Sequence, residues 1–399
     1  MSATQRQIDP ARSGIAPEAP AQGLALAAGL GVLLGLGLVL HGRDPRLVIL
    51  LVLGALCGVT LYHAAFGFSA AYRRLLFRRD GTAVRAQVVM LSVALCLFAP
   101  VLAAGSFLGS PVVGASAPVG WQVAIGAFLF GVGMQLGNGC GSGTLYALGG
   151  GSVRMVATLV AFCAGGFAAS LHMGAWQALP DAGEVVLGEA LGWPAAVAIQ
   201  LAALAALYAL IRAWERSGDS TPVAAPPSGF RVLAGPWPLM AGAVILALLN
   251  FATLSVAGHP WSITWGMTLW AAKAALAFGW NPSGAPFWSG GFQRHALDAS
   301  VLDDVTSVMN IGIVLGAFVA AALASRLAPS LRLSKRSLAA ALIGGLLMGY
   351  GARLAYGCNI GAFFSGIASS SLHGWLWIAA ALPGNWIGAR LRPRFGLGA

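Results

Sequence analysis

Long apolar stretches, separated by short segments rich in polar residues, glycine or proline, dominate this chain of 399 residues. A helix needs about 20 mostly apolar residues to cross a bilayer. The pattern therefore predicts an all-α polytopic membrane protein with about nine to eleven transmembrane helices. The predicted spans are 23–41, 46–64, 85–105, 119–136, 153–173, 187–212, 237–257, 261–280, 304–324, 337–355 and 373–391.

Shorter helical pieces are predicted in four of the segments between these runs. They are too short to cross a bilayer, so some of them are expected to turn back within it. The predicted pieces are 65–76, 142–150, 286–297 and 361–370.

The charges of the connecting segments predict the orientation. Segments 73–85 and 326–336 and the C-terminal residues are rich in arginine and lysine, whereas 106–118 and 174–186 carry no positive charge. Positive charge concentrates in cytoplasmic loops, so the first group is predicted to be cytoplasmic and the second external. The predicted division is a cytoplasmic polar tail at 1–22, a first membrane half at 23–212, a connecting loop at 213–236, a second membrane half at 237–391 and a cytoplasmic tail at 392–399.

Composition supports a membrane protein, with 58% hydrophobic residues, only 9% charged residues and a mean hydropathy of +0.79. Soluble proteins carry about a quarter charged residues. The 55 glycines suit close helix packing and broken helices in lipid. The net charge of +11 is assigned mainly to topology, and no basic stripe with interleaved aromatic residues predicts nucleic-acid binding.

One pattern, GxGxxLxxGCxxG, occurs twice. The first copy runs from Gly131 to Gly143 around Cys140, and the second runs from Gly349 to Gly361 around Cys358. Each copy ends a hydrophobic run. Two cysteines in matching glycine-rich breaks predict a paired site on a pseudo-symmetric scaffold.

The two copies are expected to face in opposite directions. The run 119–136 comes from outside to Cys140, whereas the run 337–355 comes from the cytoplasm to Cys358. Opposed copies of one motif are typical of an inverted-topology repeat. A second pair of similar segments, 58–62 and 266–270, favours the same interpretation, but strict inversion would put the weakly basic connector outside.

The motif suits a small sulfur-containing anion. Gly139 and Gly357 let the backbone leave the helix next to each cysteine, and half-helix ends present free N–H groups that favour an anion. A thiol adds a soft, polarizable group with a weak S–H donor. The alternative, that each cysteine only packs in a small-residue helix face, is weakened by the duplication.

Several polar residues are further candidates for the path. Gln135, Asn138, Arg353 and Asn359 either bind the anion or satisfy carbonyl groups of the broken helices. Lys273 lies inside an apolar run and is a possible additional site residue, or it snorkels or pairs with an acid.

The remaining cysteines, Cys57, Cys96 and Cys163, are predicted to be packing residues because no glycine break flanks them. No metal site is predicted, since two cysteines lack the usual zinc ligand complement. No cofactor is predicted either, because the chain has no P-loop and no dinucleotide fingerprint.

Through the doubled GCxxG motif, the sequence resembles the YeeE/YedE family of bacterial inner-membrane proteins, also called the sulfur-transport family. The resemblance covers roughly residues 46–391. It implies an inverted-repeat bundle with short half-helices meeting near the membrane midplane. It also implies that Cys140 and Cys358 pass thiosulfate through the membrane by successive transient S–H···S contacts, and that a small cytoplasmic sulfur-carrier protein is a partner.

The sequence departs from that family at one position. Family members often carry a further cysteine in a segment that corresponds to 65–73, where this chain has Gly67. Gly67 is therefore kept as a possible additional site residue. The departure implies either a different substrate or a relay with two stations.

The function that the sequence favours is that of a non-enzymatic permease in the bacterial inner membrane. Its predicted cargo is a small sulfur-containing anion, most of all thiosulfate, and no nucleic-acid partner is expected. Two alternatives stay open. One is a membrane thiol protein that forms a persulfide and transfers sulfur; the other is a transporter of a selenium compound or another small solute.

Overall fold

The structure is a computed structural model that describes residues 19–217, 231–327 and 333–398. Most of the predicted tail 1–22, residues 218–230 of the connecting loop and Arg332 lie outside the described residues. The α-helices are α1 (Ala19–His41), α2 (Pro45–His63), α3 (Phe68–Arg78), α4 (Thr82–Ala104), α5 (Trp121–Gly137), α6 (Gly141–Gly149), α7 (Val153–Leu171), α8 (Met173–Gln177), α9 (Leu187–Leu191), α10 (Trp193–Arg216), α11 (Leu239–Ala257), α12 (Thr264–Ala277), α13 (Gly291–Asp298), α14 (Val305–Leu323), α15 (Lys335–Leu354), α16 (Ser365–Ala368) and α17 (Leu372–Leu391).

Shorter elements join these helices. A π-helical turn, Asn359–Phe364, runs directly into α16 and makes one helical piece of ten residues with it. The 3-10 turns are Pro282–Gly284, Pro286–Trp288, Val301–Asp303 and Arg392–Phe395. The strands are β1 (Ser106–Phe107), β2 (Ser110–Pro111), β3 (Pro118–Gly120) and β4 (Asp181–Glu184), paired β1 with β2 and β3 with β4, both antiparallel.

The prediction of an all-α polytopic membrane protein is confirmed. Nine helical stretches in the described part of the chain are long and apolar enough to cross a membrane. The four predicted short pieces are also helical, as α3, α6, α13 and the piece that ends with α16. The strands are not predicted by the sequence, because segments of two to four residues show too little alternation of polar and apolar positions to indicate a strand.

Two predicted runs differ from the observed helices. The run 187–212 is divided into α9 and α10, since Gly192 adopts a φ of +79° and Pro194 follows at the start of α10. The run 261–280 contains α12, whose 14 residues are too few to cross a bilayer. Residues 261–263, which precede α12, are not helical and lie beside the site described below.

Glycines let the central helices approach each other closely. A Cβ on Gly349 of α15 would lie 2.0 Å from the carbonyl oxygen of Phe162 on α7. A Cβ on Gly384 of α17 would lie 2.1 Å from the carbonyl oxygen of Phe128 on α5. Small residues at such crossings are how membrane helices gain packing energy, since lipid tails are as apolar as the side chains.

The helix contacts are reciprocal between the two parts of the chain. α5 packs against α17, and α15 packs against α7. The contact of α2 with α14 has its counterpart in the contact of α11 with α4. The contact of α1 with α14 likewise has its counterpart in the contact of α10 with α4. This exchange of partners is what a repeat predicts when α4, α5 and α7 correspond to α14, α15 and α17.

The same contacts indicate where the first repeat ends and the second begins. They make α10 the counterpart of α1 and α11 the counterpart of α2, which favours a boundary between α9 and α10. The predicted boundary at 213–236 stays a prediction. The earlier boundary removes the conflict over orientation, because α10 then leads from outside to a cytoplasmic connector.

The pairing of segments 58–62 and 266–270 as corresponding parts of the repeat is wrong. The similar segments 58–62 and 266–270 lie on α2 and α12, which do not occupy corresponding places in the reciprocal contacts. Gly58 of α2 packs against the backbone of α14 at Ile313, whereas Gly266 of α12 faces the side chains of Ser307 and Asn310.

Candidate functional site

Both motif copies break the chain in the same way. α5 ends at Gly137, Asn138 takes a left-handed φ of +65°, and Cys140 is the N-cap of α6, which begins at Gly141. In the second copy α15 ends at Leu354, Tyr356 takes a φ of +56°, and Cys358 caps the π-helical turn. Each thiol therefore stands where one helix has ended and another begins.

The Cys140 thiol is buried, with 1% of the residue exposed. Its sulfur accepts the backbone N–H of Gly143 at 3.4 Å and lies 3.3 Å from the Ser142 hydroxyl. The carbonyl oxygen of Cys140 accepts from both the N–H and the hydroxyl of Thr144. These bonds hold the start of α6 and point its free N–H groups at the sulfur.

The Cys358 thiol is fully buried and lies against the first motif copy. Its sulfur accepts the N–H of Ile360 at 3.4 Å. A Cβ placed on Gly141 would lie 3.1 Å from this sulfur, so the second thiol rests on the backbone next to the first cysteine. The structure thus brings the two predicted cysteines together, although they are far apart in the sequence.

Asn359 of the second copy is hydrogen-bonded to Tyr72 of α3. The Asn359 amide nitrogen donates to the Tyr72 hydroxyl at 3.3 Å, and its buried Oδ1 has no hydrogen-bond partner among the described residues. A buried polar group without a partner is costly, so Asn359 is a group that a passing ligand can satisfy.

Gln135 and Asn138 bind protein groups. The Gln135 amide nitrogen donates to the Ser69 carbonyl and to Asn385 Oδ1, and its Oε1 accepts from Arg73. Asn138 Oδ1 accepts from Arg392 at 3.1 Å. Both side chains thus bind other protein groups, and the roles predicted for them, binding the anion or satisfying carbonyl groups of the broken helices, stay predictions.

The backbone of the predicted path glycines is hydrogen-bonded. The N–H groups of Gly139 and Gly357 donate to carbonyls of the preceding helices, and the Gly357 carbonyl accepts from Trp377. The guanidinium of Arg353 stacks over Phe287 at 5.1 Å, and its buried Nε has no hydrogen-bond partner in the described ranges.

The two additional candidates have different surroundings. Lys273 donates to the carbonyls of Leu297 and Ala299, so its ammonium caps the end of α13. A Cβ on Gly67 would lie 3.3 Å from the Tyr146 hydroxyl, which places Gly67 beside α6, the helix that Cys140 caps.

Sequence reasoning missed the non-helical segment Trp261–Ile263, which precedes α12. A Cβ on Gly361 would lie 3.3 Å from Ser262 Oγ, and a Cβ on Gly141 would lie 3.4 Å from Ile263 Cγ2. This segment therefore flanks both motif copies. The sequence does contain a signal, since Pro260 and the serine interrupt the apolar run, but the length of that run favours a spanning helix.

It also missed Tyr72 and Tyr146 as site residues. Both are aromatic residues on short helices, α3 and α6, and nothing in their local sequence indicates contact with a distant motif. No cluster of three or more histidine, cysteine, aspartate or glutamate residues that could hold a metal ion is found in the described ranges.

Gly141 gives a direct test of the space between the motif copies. We expect Gly141→Ala to lower uptake of the substrate about tenfold, because its Cβ would crowd both Cys358 Sγ and Ile263. A tenfold change in a rate or an affinity corresponds to about 1.4 kcal/mol, which is a modest cost for displacing a buried thiol. Uptake of labelled substrate by cells at matched expression measures the effect.

Gly143→Ala is the matched control. It lies on the same helix, and its Cβ would make an ordinary contact of 3.5 Å with Cys140 Sγ. Both changes favour the helix by roughly 1 kcal/mol. Equal uptake by the two variants would show that the space beside Cys358 does not matter.

Comparison with known proteins gives a family and relatives. The model of the family described as Sulphur transport matches residues 63–387. The thiosulfate transporter TsuA of Spirochaeta thermophila is 27% identical over 354 residues, which are 84% of this chain and 96% of that protein.

Two further relatives match over a shorter length. The probable transporter YedE of Escherichia coli is 34% identical over 154 residues, which are 39% of this chain and 37% of that protein. The probable transporter YedE of Salmonella typhimurium is 34% identical over 155 residues, again 39% and 37%. The match thus spans well under half the length of these two relatives.

Proposed function

This chain belongs to the Sulphur transport family of multi-pass membrane proteins, and we propose that it imports thiosulfate or a closely similar sulfur-containing anion across the bacterial inner membrane. The observation that carries the proposal is the position of the Cys358 thiol, buried against Gly141 at the start of the helix that Cys140 caps. Two thiols from opposite parts of the chain then line one path. The relative named as a thiosulfate transporter, similar along most of its length, supports this substrate.

The order of the two thiols along the path follows from the predicted orientation. α15 begins after the cytoplasmic segment 326–336 and leads outward to Cys358, whereas α5 leads inward from outside to Cys140. The anion then meets Cys358 first and Cys140 second. Two hydrogen bonds agree with this order. On the side of Cys358, the Ser370 carbonyl accepts from the N–H of Leu187, which follows the predicted external segment 174–186. On the side of Cys140, Asn138 accepts from Arg392 at the predicted cytoplasmic end of α17.

Each station combines a soft donor with a partial positive charge. The terminal sulfur of thiosulfate accepts the weak S–H bond of a thiol, and the free N–H groups at the start of a helix stabilise the negative charge. The Ser142 hydroxyl, 3.3 Å from the Cys140 sulfur, and the Tyr72 hydroxyl, bonded to the side chain of Asn359 next to Cys358, are candidate donors to the oxygen atoms of the anion. Weak bonds of this kind let the ion leave as readily as it arrives.

The persulfide alternative fits the geometry less well. A thiol that reacts and exchanges sulfur is usually partly exposed and has a lowered pKa. Cys140 and Cys358 are 1% and 0% exposed. Selenium analogues of the anion would meet the same thiols, and a small cytoplasmic sulfur-carrier protein that takes the anion from the inner mouth is part of the proposal.

Uptake of labelled thiosulfate tests the function. Cells that lack their other sulfate and thiosulfate importers should gain uptake when they express this chain, and excess unlabelled sulfate should compete weakly because it lacks the terminal sulfur. Mass spectrometry of the intact protein after transport should show no added sulfur. A lack of uptake at normal expression would refute thiosulfate as the substrate, and a stable adduct on a cysteine would favour the sulfur-transfer alternative.

A further inference from the structure

Three arginines from distant parts of the chain meet at the end of α5. Arg154 of α7 donates to the carbonyls of Leu136 and Gly137 at 2.6 and 2.7 Å. Arg392, which follows α17, donates to the carbonyl of Gln135 at 2.6 Å. Arg73 of α3 donates to the side chain of Gln135 at 3.2 Å. We call Arg73, Arg154 and Arg392 the arginine cluster.

Among the described residues, the cluster has no carboxylate partner, and the remaining acceptor of Arg392 is the carbonyl of Gly398. None of its members forms a salt bridge within the described part of the chain, whereas the neighbouring Arg74 pairs with Asp80 at 3.6 Å. Their hydrogen-bond acceptors are neutral. The end of a helix carries only about half a negative charge, so it cannot balance three guanidinium groups.

Burial makes this excess charge unusual. Arg392 is 1% exposed, and Arg73 and Arg154 are partly buried. Burial, then the charges of Arg73 and Arg154, lower the pKa of Arg392, which lies beyond the last span. A guanidinium is nevertheless basic enough to stay charged at neutral pH. Partly buried positive charges close together are costly unless an anion joins them.

The cluster adjoins the proposed path. Arg392 also donates to Asn138, two residues before Cys140. Arg73 follows Tyr72, whose hydroxyl accepts a hydrogen bond from Asn359, the residue after Cys358. In the predicted orientation, which places residues 392–399 in the cytoplasm, the cluster lies on the cytoplasmic side of the inner thiol.

We propose that the arginine cluster is an anion-binding station at the inner end of the path, which holds the doubly charged oxyanion after it leaves Cys140. This deepens the proposed function and rests on it for the direction of movement. Guanidinium groups bind oxyanions through charge-assisted hydrogen bonds, and the donors of Arg73 that Gln135 does not use are available for this role. The thiols recognise the terminal sulfur, whereas the cluster recognises charge and oxygen.

Binding of sulfate to the purified full-length protein tests this station apart from transport, because sulfate has the charge and oxygen atoms but no terminal sulfur for the thiols. The melting temperature is measured against sulfate concentration, with chloride keeping the ionic strength constant. Wild type should be stabilised. Arg73→Gln should need about tenfold more sulfate for the same stabilisation, since one charge-assisted hydrogen bond is worth that factor in affinity.

Arg73→Lys and Arg74→Gln are the controls. The lysine variant keeps the charge and should stay within about threefold of wild type, and Arg74→Gln removes an equal charge one residue away and should behave as wild type. If sulfate fails to stabilise wild type, or if both glutamine variants respond alike, the cluster only holds the end of α5. If the protein binds sulfate but transports no thiosulfate, the arginine cluster is an anion-binding site and the proposed substrate is wrong.

Discussion

Cys140→Ser and Cys358→Ser are each expected to lower thiosulfate uptake at least about tenfold, because each removes one of the two soft donors, and an interaction worth about 1.4 kcal/mol changes a rate or affinity by that factor. A serine hydroxyl is a harder group that bonds water more strongly than it bonds the terminal sulfur. Initial rates of labelled thiosulfate uptake in cells without other importers, at equal membrane expression, measure the decrease.

The fold of these serine variants should survive. Both cysteines are N-caps whose sulfur accepts a backbone N–H, and serine is among the preferred N-cap residues. Melting temperatures within a few degrees of wild type would confirm this.

Cys96→Ser is the matched control. This cysteine is exposed on the helix bundle and has no part in the motif, so its uptake should equal that of wild type. Normal uptake by either motif variant would mean that the two thiols are incidental and that the path runs elsewhere.

Gly349→Ala is expected to prevent correct assembly of the helix bundle. Its Cβ would lie 2.0 Å from the carbonyl oxygen of Phe162 and 2.7 Å from the backbone nitrogen of Gly166. Both atoms belong to the backbone of α7, so no side chain can turn away, and α7 and α15 must separate. Such overpacking costs about 1–3 kcal/mol or more, and it also displaces the helix that leads to Cys358.

Detergent-solubilised protein measures this effect. Size-exclusion chromatography should show little monodisperse Gly349→Ala protein, and its melting temperature should fall well below that of wild type. Gly35→Ala is the control, because it lies inside α1 and its Cβ would meet nothing within 4 Å. Equal yields and stabilities of the two variants would contradict the close approach of α7 and α15.

The arrangement also explains why so many glycines occur in one membrane protein. At Gly349 and Gly384 the helices touch through backbone atoms. At Gly141 the same residue type leaves room for a thiol from the other part of the chain. Close packing and the proposed path thus depend on glycine for one reason, which is the absence of a Cβ.

The sequence by itself determined the class of fold, most helix positions and the family. Apolar runs long enough to cross a bilayer leave little freedom, because every backbone polar group in lipid must be satisfied within a helix. The doubled motif also singled out Cys140 and Cys358 as a pair, since a glycine-flanked cysteine repeated in a second place has few structural explanations.

Only the tertiary structure decided what surrounds the pair. Tyr72, Ser262 and the arginine cluster lie outside the two GxGxxLxxGCxxG copies, and they contact Asn359, Gly361 and Gln135 of those copies because helices pack across the whole chain. The order of apolar and polar residues along the chain reflects which side chains avoid water and which avoid lipid, and this is a local property. Which backbone carbonyl a given arginine meets depends on how distant helices cross, and that is fixed by the packing of the complete bundle.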